Sequence, residues 1–383
     1  GGDDNDLIIG GPGADIDTLR GGAGNDTIDG GDGADRVYGD AGADHLLAGD
    51  GNDFLYIDQN DVSAGLIDGG AGLGDAAFLD VAGSIVGLNL HASNLEAFYG
   101  WSPGTFADAV TGNAASTVAL TIRGFGGDDN LTGGGGSDNI QGGDGNDTLV
   151  GSGGADVLRG EVGADLLIID QADVTAILNG GDGIDTAMAA TGSAITGLNL
   201  HDRLLEVFVG GTGNDSVVGS AANTVALNLA GNGGVDTLTG GGGNDTIDGG
   251  ADSDYLQGSG GNDLMSGGTG TVRDTMLGGA GADSLSGGGG SDLLTGNAGA
   301  DHLSGEDGDD FLYIDQEDVT SGVVSGGAGM DVAEVSTGSV AGLNLHNASV
   351  ETFRGAGGSD QVTGNNASTA ALFISGNGGG DIL

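Results

Sequence analysis

The chain has 383 residues, 89 of them glycine, with no cysteine and a net charge of −50. That charge repels nucleic acid and anionic membranes, and without cysteine there is no disulfide framework and no thiol nucleophile. All seven basic residues are arginine (Arg20, Arg36, Arg123, Arg159, Arg203, Arg273 and Arg354), which excludes a P-loop lysine or a Schiff base. No run is long enough to span a membrane, and two prolines without a Gly-X-Y period exclude collagen.

From residue 1 the chain repeats a nine-residue phrase, G-G-x-G-x-D-x-U-x, where U is a bulky apolar residue. Gly21–Asp29 reads GGAGNDTID, and the fullest copy is GGGGNDTIDGG at Gly240–Gly250. Glycines at the first, second and fourth places permit backbone conformations that a Cβ resists. The six-residue loop can therefore turn its carbonyls inward, and the sixth place adds one carboxylate. The last three residues alternate out-in-out as a short strand. One such loop has too few ligands and one such strand too little apolar area, so the copies must stack.

A first roll spans residues 1–56, its loops ending at Asp6, Asp17, Asp26, Asp35, Asp44 and Asp53, with Ile8, Leu19, Ile28, Val37, Leu46 and Leu55 turned inward. Its second loop, GGPGADIDTLR, has two extra residues, so Asp15 or Asp17 can be its acid. Residues 57–123 are a spacer. A second roll, 124–168, carries Asp129, Asp138, Asp147, Asp156 and Asp165, and a second spacer fills 169–230. The third roll, 231–313, carries Asp236, Asp245, Asp254, Asp263, Asp274, Asp283, Asp292, Asp301 and Asp310; its loop at Gly267 again has two extra residues. A third spacer, 314–375, leads to the start of a further repeat at 376–383.

The spacers repeat too. IDQNDV at Ile57 returns as IDQADV at Ile169 and IDQEDV at Ile314. GLNLH recurs at Gly87, Gly197 and Gly342, followed by Glu96, Glu206 and Glu351 and then by Phe98, Phe208 and Phe353. ASTVALTI at Ala115, ANTVALNL at Ala222 and ASTAALFI at Ala367 complete the pattern. Degenerate loops inside the spacers bring Asp185, Asp215, Asp331 and Asp360. These features predict the same solenoid continued with longer strands; a small separate β-domain is the alternative. Ala187 and Ala333 stand where bulky residues are otherwise expected, so packing there must differ. The chain opens on a repeat and closes on GNGGGDIL, so the reading expects a segment of something longer that tiles head to tail into a fibre.

The nonapeptide, recurring in register along all three rolls, resembles the RTX (repeats-in-toxin) family. The resemblance implies an all-β fold, a right-handed parallel β-roll or β-helix solenoid in which two nonapeptides form one coil. It implies calcium between loop i and loop i+2, held by the sixth-place aspartates named above and by fourth-place carbonyls: Gly24, Gly33, Gly42, Gly51, Gly136, Gly145, Gly154, Gly163, Gly243, Gly261, Gly281, Gly290, Gly299 and Gly308. The residues agree, since carboxylate and carbonyl oxygens without cysteine or clustered histidine suit a hard cation such as Ca²⁺. Pairing i with i+2 in the three rolls gives about 14 ions or more. The resemblance also implies type I secretion, an extracellular or bacterial cell-surface location, and folding on calcium binding.

Catalysis is not expected. His45 and His302 fall on outward strand places. His91, His201 and His346 recur with Glu96, Glu206 and Glu351, but a threefold repeat along a solenoid favours a structural role over acid–base work or metal binding. The function expected is a calcium-dependent structural or adhesive rod, a segment of a surface-layer protein, adhesin or filament. It associates with itself head-to-tail or side by side, with cell-surface polysaccharide as a further partner. The alternative is the calcium-folded carrier region of a secreted enzyme or toxin.

Overall fold

A computed structural model describes the chain except for residues 65, 102, 103, 223 and 365–370. Pro103, Asn223 and the start of ASTAALFI at Ala367 therefore lie outside the described residues. Two compact units are present: residues 1–190 with 203–205, and residues 191–202 with 206–383.

Each unit is a parallel β-solenoid. In the first, Thr18–Ala23, Arg36–Ala41 and Phe54–Ile57 pair in one sheet, while Leu7–Gly11, Thr27–Asp32 and His45–Asp50 pair in another. Successive nonapeptides thus go to alternate sheets, and two of them make one coil. The register follows the sequence period: Ile28 lies beside Leu46 and Val37 beside Leu55. All four side chains are fully buried, because the eighth place of every repeat points between the sheets. In the second unit the stack Leu238, Leu256, Met276, Leu294 and Leu312 fills the interior in the same way. The two extra residues of the loop at Gly267 bulge outward, and Leu256 still meets Met276 in register.

The spacer strands carry the pairing onward. Leu55 pairs with Ala77, Ala77 with Phe98, and Phe98 with Ile122 at the edge of the second roll. Ala333 likewise sits between Leu312 and Phe353. Ala77, Ala333, Phe98 and Phe353 are all fully buried. A phenylalanine on the next rung fills the volume that each alanine leaves, which keeps the interior at close-packed density.

The spacer strands are not longer than those of the rolls. Ala97–Tyr99 and Val207–Val209 have three residues each. After their first residue, the last of a strand, the IDQxDV phrases leave the sheet. Gln59–Ala64 and Gln316–Thr320 are short α-helices, and Asp173–Thr175 is a 3₁₀ turn. The cause is a capping box. The Asp315 side chain accepts the N–H groups of Glu317 and Asp318, and the Asp318 side chain accepts the N–H of Asp315. Alternation of apolar residues cannot reveal a local side-chain bond of this kind.

Phe208 is fully buried beside Leu229. We expect Phe208→Ala to destabilise the calcium-loaded protein by about 3–5 kcal/mol in urea unfolding, the cost of an unfilled aromatic cavity. An effect below about 1 kcal/mol would mean that this rung is not a close-packed core.

Candidate metal centre

The sixth-place aspartates stack in ladders, each rung one coil above the last. Asp6 N donates to Asp26 Oδ1, Asp26 N to Asp44 Oδ1, and Asp17 N through Asp35 to Asp53 on the other side, at 2.7–2.8 Å. In the second roll Asp129, Asp147 and Asp165 are linked in the same way, as are Asp138 and Asp156. In the third, one ladder joins Asp236, Asp254, Asp274, Asp292 and Asp310, and the other joins Asp245, Asp263, Asp283 and Asp301. Asp17, not Asp15, holds the register in the first roll. The spacer acids extend the series: Asp215 N donates to Asp236 Oδ1, and Asp331 Oδ1 accepts from Asp310 N. Asp165 N donates to Asp185, and the N–H of Val340 to Asp360.

One oxygen of each carboxylate is thus spent on the ladder. The other, Oδ2, is buried without a hydrogen-bond partner in Asp26, Asp35, Asp44, Asp53, Asp129, Asp147, Asp156, Asp165, Asp215, Asp236, Asp254, Asp263, Asp283, Asp292, Asp301, Asp310, Asp331 and Asp360. A buried polar atom without a partner is costly, and a whole column of them marks a place built for something else. In Asp138 and Asp245 the same oxygen accepts a loop N–H, from Gly134 and Gly241.

Main-chain carbonyls face the same gaps. A methyl built on Gly281, whose φ is 136°, would fall on the carbonyl oxygen of Gly261. Gly299 faces the Gly281 carbonyl, and Gly42 faces that of Gly24. A side chain at the fourth place would therefore fill the space between stacked loops. Among the described residues no three Asp, Glu, His or Cys side chains converge. Each rung supplies one carboxylate, and its other oxygens are carbonyls. This all-oxygen set, a carboxylate from each stacked loop with main-chain carbonyls, fits calcium, a hard cation that takes carboxylate and carbonyl donors in flexible geometry. When bound, the ion would supply the positive charge that lets like-charged rungs lie one strand spacing, about 4.8 Å, apart.

The electrostatics agree. Burial raises the carboxyls of Asp129, Asp147, Asp236, Asp263 and Asp274 to about 7, and that of Asp156 to about 8. Neighbouring aspartates on the ladder add to the rise, and the donated N–H groups oppose it. Asp254, Asp283 and Asp310 reach about 6 for the same first reason. Without a cation these rungs resist ionisation near neutrality.

Several acids in the ladders escape the nonapeptide pattern. Asp75 and Asp108 are buried rungs, accepting from Asp53 N and Ile85 N. Their loops are longer than six residues, and only a glycine-rich lead and a following apolar residue hint at them. Asp61, Asp173 and Asp318 are also buried rungs, and the only signal for them is the recurrence of IDQxDV. The recurrent His and Glu do not pair at the first spacer: His91 Nδ1 accepts from Asn113 N at 2.8 Å, and Glu96 Oε2 from Asp75 N at 3.0 Å. Glu351 repeats that bond with Asp331 N. These glutamates take the place of the next loop aspartate.

Two outcomes follow from this geometry. Asp263 accepts from Asp245 and donates to Asp283, so Asp263→Asn is expected to lower calcium stoichiometry by one or two in titration calorimetry; unchanged stoichiometry and affinity would contradict the register. The raised carboxyl values also set a pH dependence. A folded-state value above the unfolded ~3.9 means that the calcium-free fold binds the extra protons. Its stability contribution is full below about pH 4 and is lost as pH rises through about 6 to 8. In EDTA, circular dichroism should show more β-structure at about pH 5 than at about pH 8, with calcium restoring it at the higher pH. A chelated chain equally folded at both would contradict this.

Comparison with protein-family models matches the RTX calcium-binding nonapeptide repeat in overlapping stretches that cover residues 1–58, 121–167, 206–223 and 230–312. No curated protein matches the chain. No helix among the described residues is long and apolar enough to cross a membrane. The matched stretches make up more than half of the sequence and take in the loop aspartates of all three rolls. RTX repeats bind calcium, and the chain belongs to the RTX calcium-binding nonapeptide-repeat family.

Proposed function

We propose that the chain is a calcium-folded structural or adhesive rod, working outside a bacterial cell after type I secretion, as part of a surface-layer protein, adhesin or filament. The column of buried, unpartnered Asp oxygens carries this reading. A chain of net charge −50 with its acids in register is an open polymer where calcium is scarce and a solenoid where calcium is plentiful. Binding energy is then folding energy, and the change from export to assembly supplies the switch.

Side-chain stacking along one outer sheet of the first unit supports a mechanical role. Tyr38 stacks on Tyr56, Tyr56 on Phe78, and Phe78 on Tyr99, with ring centroids 4.1–5.4 Å apart. Arg20 closes one end over Tyr38, and Arg123 lies by Tyr99 at the other. The ring faces are used on one another, which stiffens successive coils. The rod works without catalysis, by calcium binding, self-association and contact with cell-surface polysaccharide.

Electron microscopy and sedimentation in millimolar calcium are expected to show rods or fibres that EDTA dissolves. Monodisperse single chains at high protein concentration in calcium would rule out noncovalent self-association.

A further inference from the structure

Two residues after the histidine of GLNLH the three spacers differ. The second has Arg203 at that place, while the first and third have Ser93 and Ala348. Arg203 reaches back to the turn that carries Asp173. Its Nη1 donates to the carbonyl oxygen of Ala176 at 2.7 Å, and its Nη2 to that of Val174 at 2.9 Å. The planar fork of donors thus closes on two carbonyls at the end of a helical turn, which the turn itself leaves without partners.

In the other two spacers the corresponding place is a cavity. Beside the helix Gln59–Ala64 a space of about 210 Å³ is lined by Val62, Gly87, Leu88, Asn89 and Ser93. Beside the helix Gln316–Thr320 a space of about 210 Å³ is lined by Val319, Gly342, Leu343, Asn344 and Ala348. Val62 and Val319 hold the place of Val174 in IDQxDV, and Ser93 and Ala348 hold that of Arg203. A serine and an alanine are too short to reach the turn. The carbonyl of Val319 is open to a donor, because the N–H groups that would meet it in a longer helix, those of Gly322 and Val323, go to Glu317 and Asp301. Neither spacer has a cation of its own to spare. Residues 57–122 contain no arginine or lysine, and the one arginine of the third spacer, Arg354, pairs with Glu334 at 3.5 Å.

We propose that these two cavities bind a guanidinium group, the arginine side chain of another polypeptide, as the second spacer binds its own Arg203. The inference goes beyond the calcium reading and does not use the ion. The carbonyl end of a helical turn is partially negative, and the chain around it is strongly acidic, so a cation is favoured over a neutral donor. Guanidinium suits the place better than ammonium. Its donors form a rigid fork, and it is the more weakly hydrated of the two, so partial burial costs it less. Both cavities lie on the turns that follow the first and third rolls. A partner would therefore dock at the roll boundaries and leave the aspartate ladders free.

The test is titration calorimetry of the full chain in saturating calcium, with the peptide Gly-Arg-Gly, blocked at both ends, as the probe. Two equivalent sites are expected. Combining Ser93→Arg with Ala348→Arg fills both cavities from within and should abolish binding. Arg203→Ser opens the second spacer and should raise the count from two to three. The blocked peptide Gly-Lys-Gly should bind at least about tenfold more weakly, having lost a charge-assisted hydrogen bond. No binding to the wild type, binding that survives the double variant, or equal affinity for the lysine peptide overturns the proposal. Binding of guanidinium ion without binding of the arginine peptide overturns the polypeptide as its source. If circular dichroism shows that the double variant fails to fold, Arg203→Ser decides: three sites support the proposal, and an unchanged two overturn it.

Discussion

The structure depends on how a column of carboxylates can be buried at all. Each loop aspartate ties one oxygen to the backbone N–H of the coil before it and leaves the other in a dry gap. The first bond sets the register of the loops, and the second oxygen creates a debt of negative charge that protein groups do not settle. Seven arginines face 57 acids, and few of them reach the acids: the ion pairs found among the described residues, Arg20 with Asp40 and Arg354 with Glu334, are both on the surface. A cation bound in these gaps would settle it and tie coil to coil, in the way that a disulfide ties a small cysteine-rich domain.

Glycine serves the same constraint. At the fourth place, the carbonyl of the loop below occupies the space a methyl would need, as Gly281 shows against Gly261. Many such positions also carry a positive φ. Any other residue there would both strain the turn and fill the gap that the ion requires. The high glycine content is thus a consequence of stacking loops at strand spacing around an ion, and the modest apolar core, one bulky residue per strand, is enough because the two terms act together.

The spacers solve a different problem. A roll cannot simply stop, since its last rung would leave backbone donors and a sheet edge open. The helical turns of IDQxDV offer a carboxylate to the last N–H on one side, and Glu96 and Glu351 do so on the other. Small alanines backed by phenylalanine keep the interior filled while the coil changes length. What recurs as unexplained phrases in the sequence is a set of terminations that still let strand pairing pass through, as from Leu55 by way of Ala77 and Phe98 to Ile122.

The sequence by itself determined that the repeats stack and that one apolar residue per repeat turns inward, because one loop has too few ligands and one strand too little apolar area to stand alone; the parallel solenoid with two nonapeptides per coil is what its resemblance to the RTX family implied, and the strand pairing agrees. It also singled out the sixth-place aspartates that the ladders join, including the pairing of Asp263 with Asp283 across a lengthened loop. Only the tertiary structure chose Asp17 over Asp15, since both lie in one loop and only the coil above selects between them. It alone revealed Asp61, Asp75, Asp108, Asp173 and Asp318 as rungs, because their place in the ladder comes from residues 17–23 positions away and not from their own neighbours. It alone separated His91 from Glu96, which the sequence sets close together and the coil turns toward different backbone groups. Local period fixes what repeats; where a repeat ends is decided by contacts between coils, which leave no period to read.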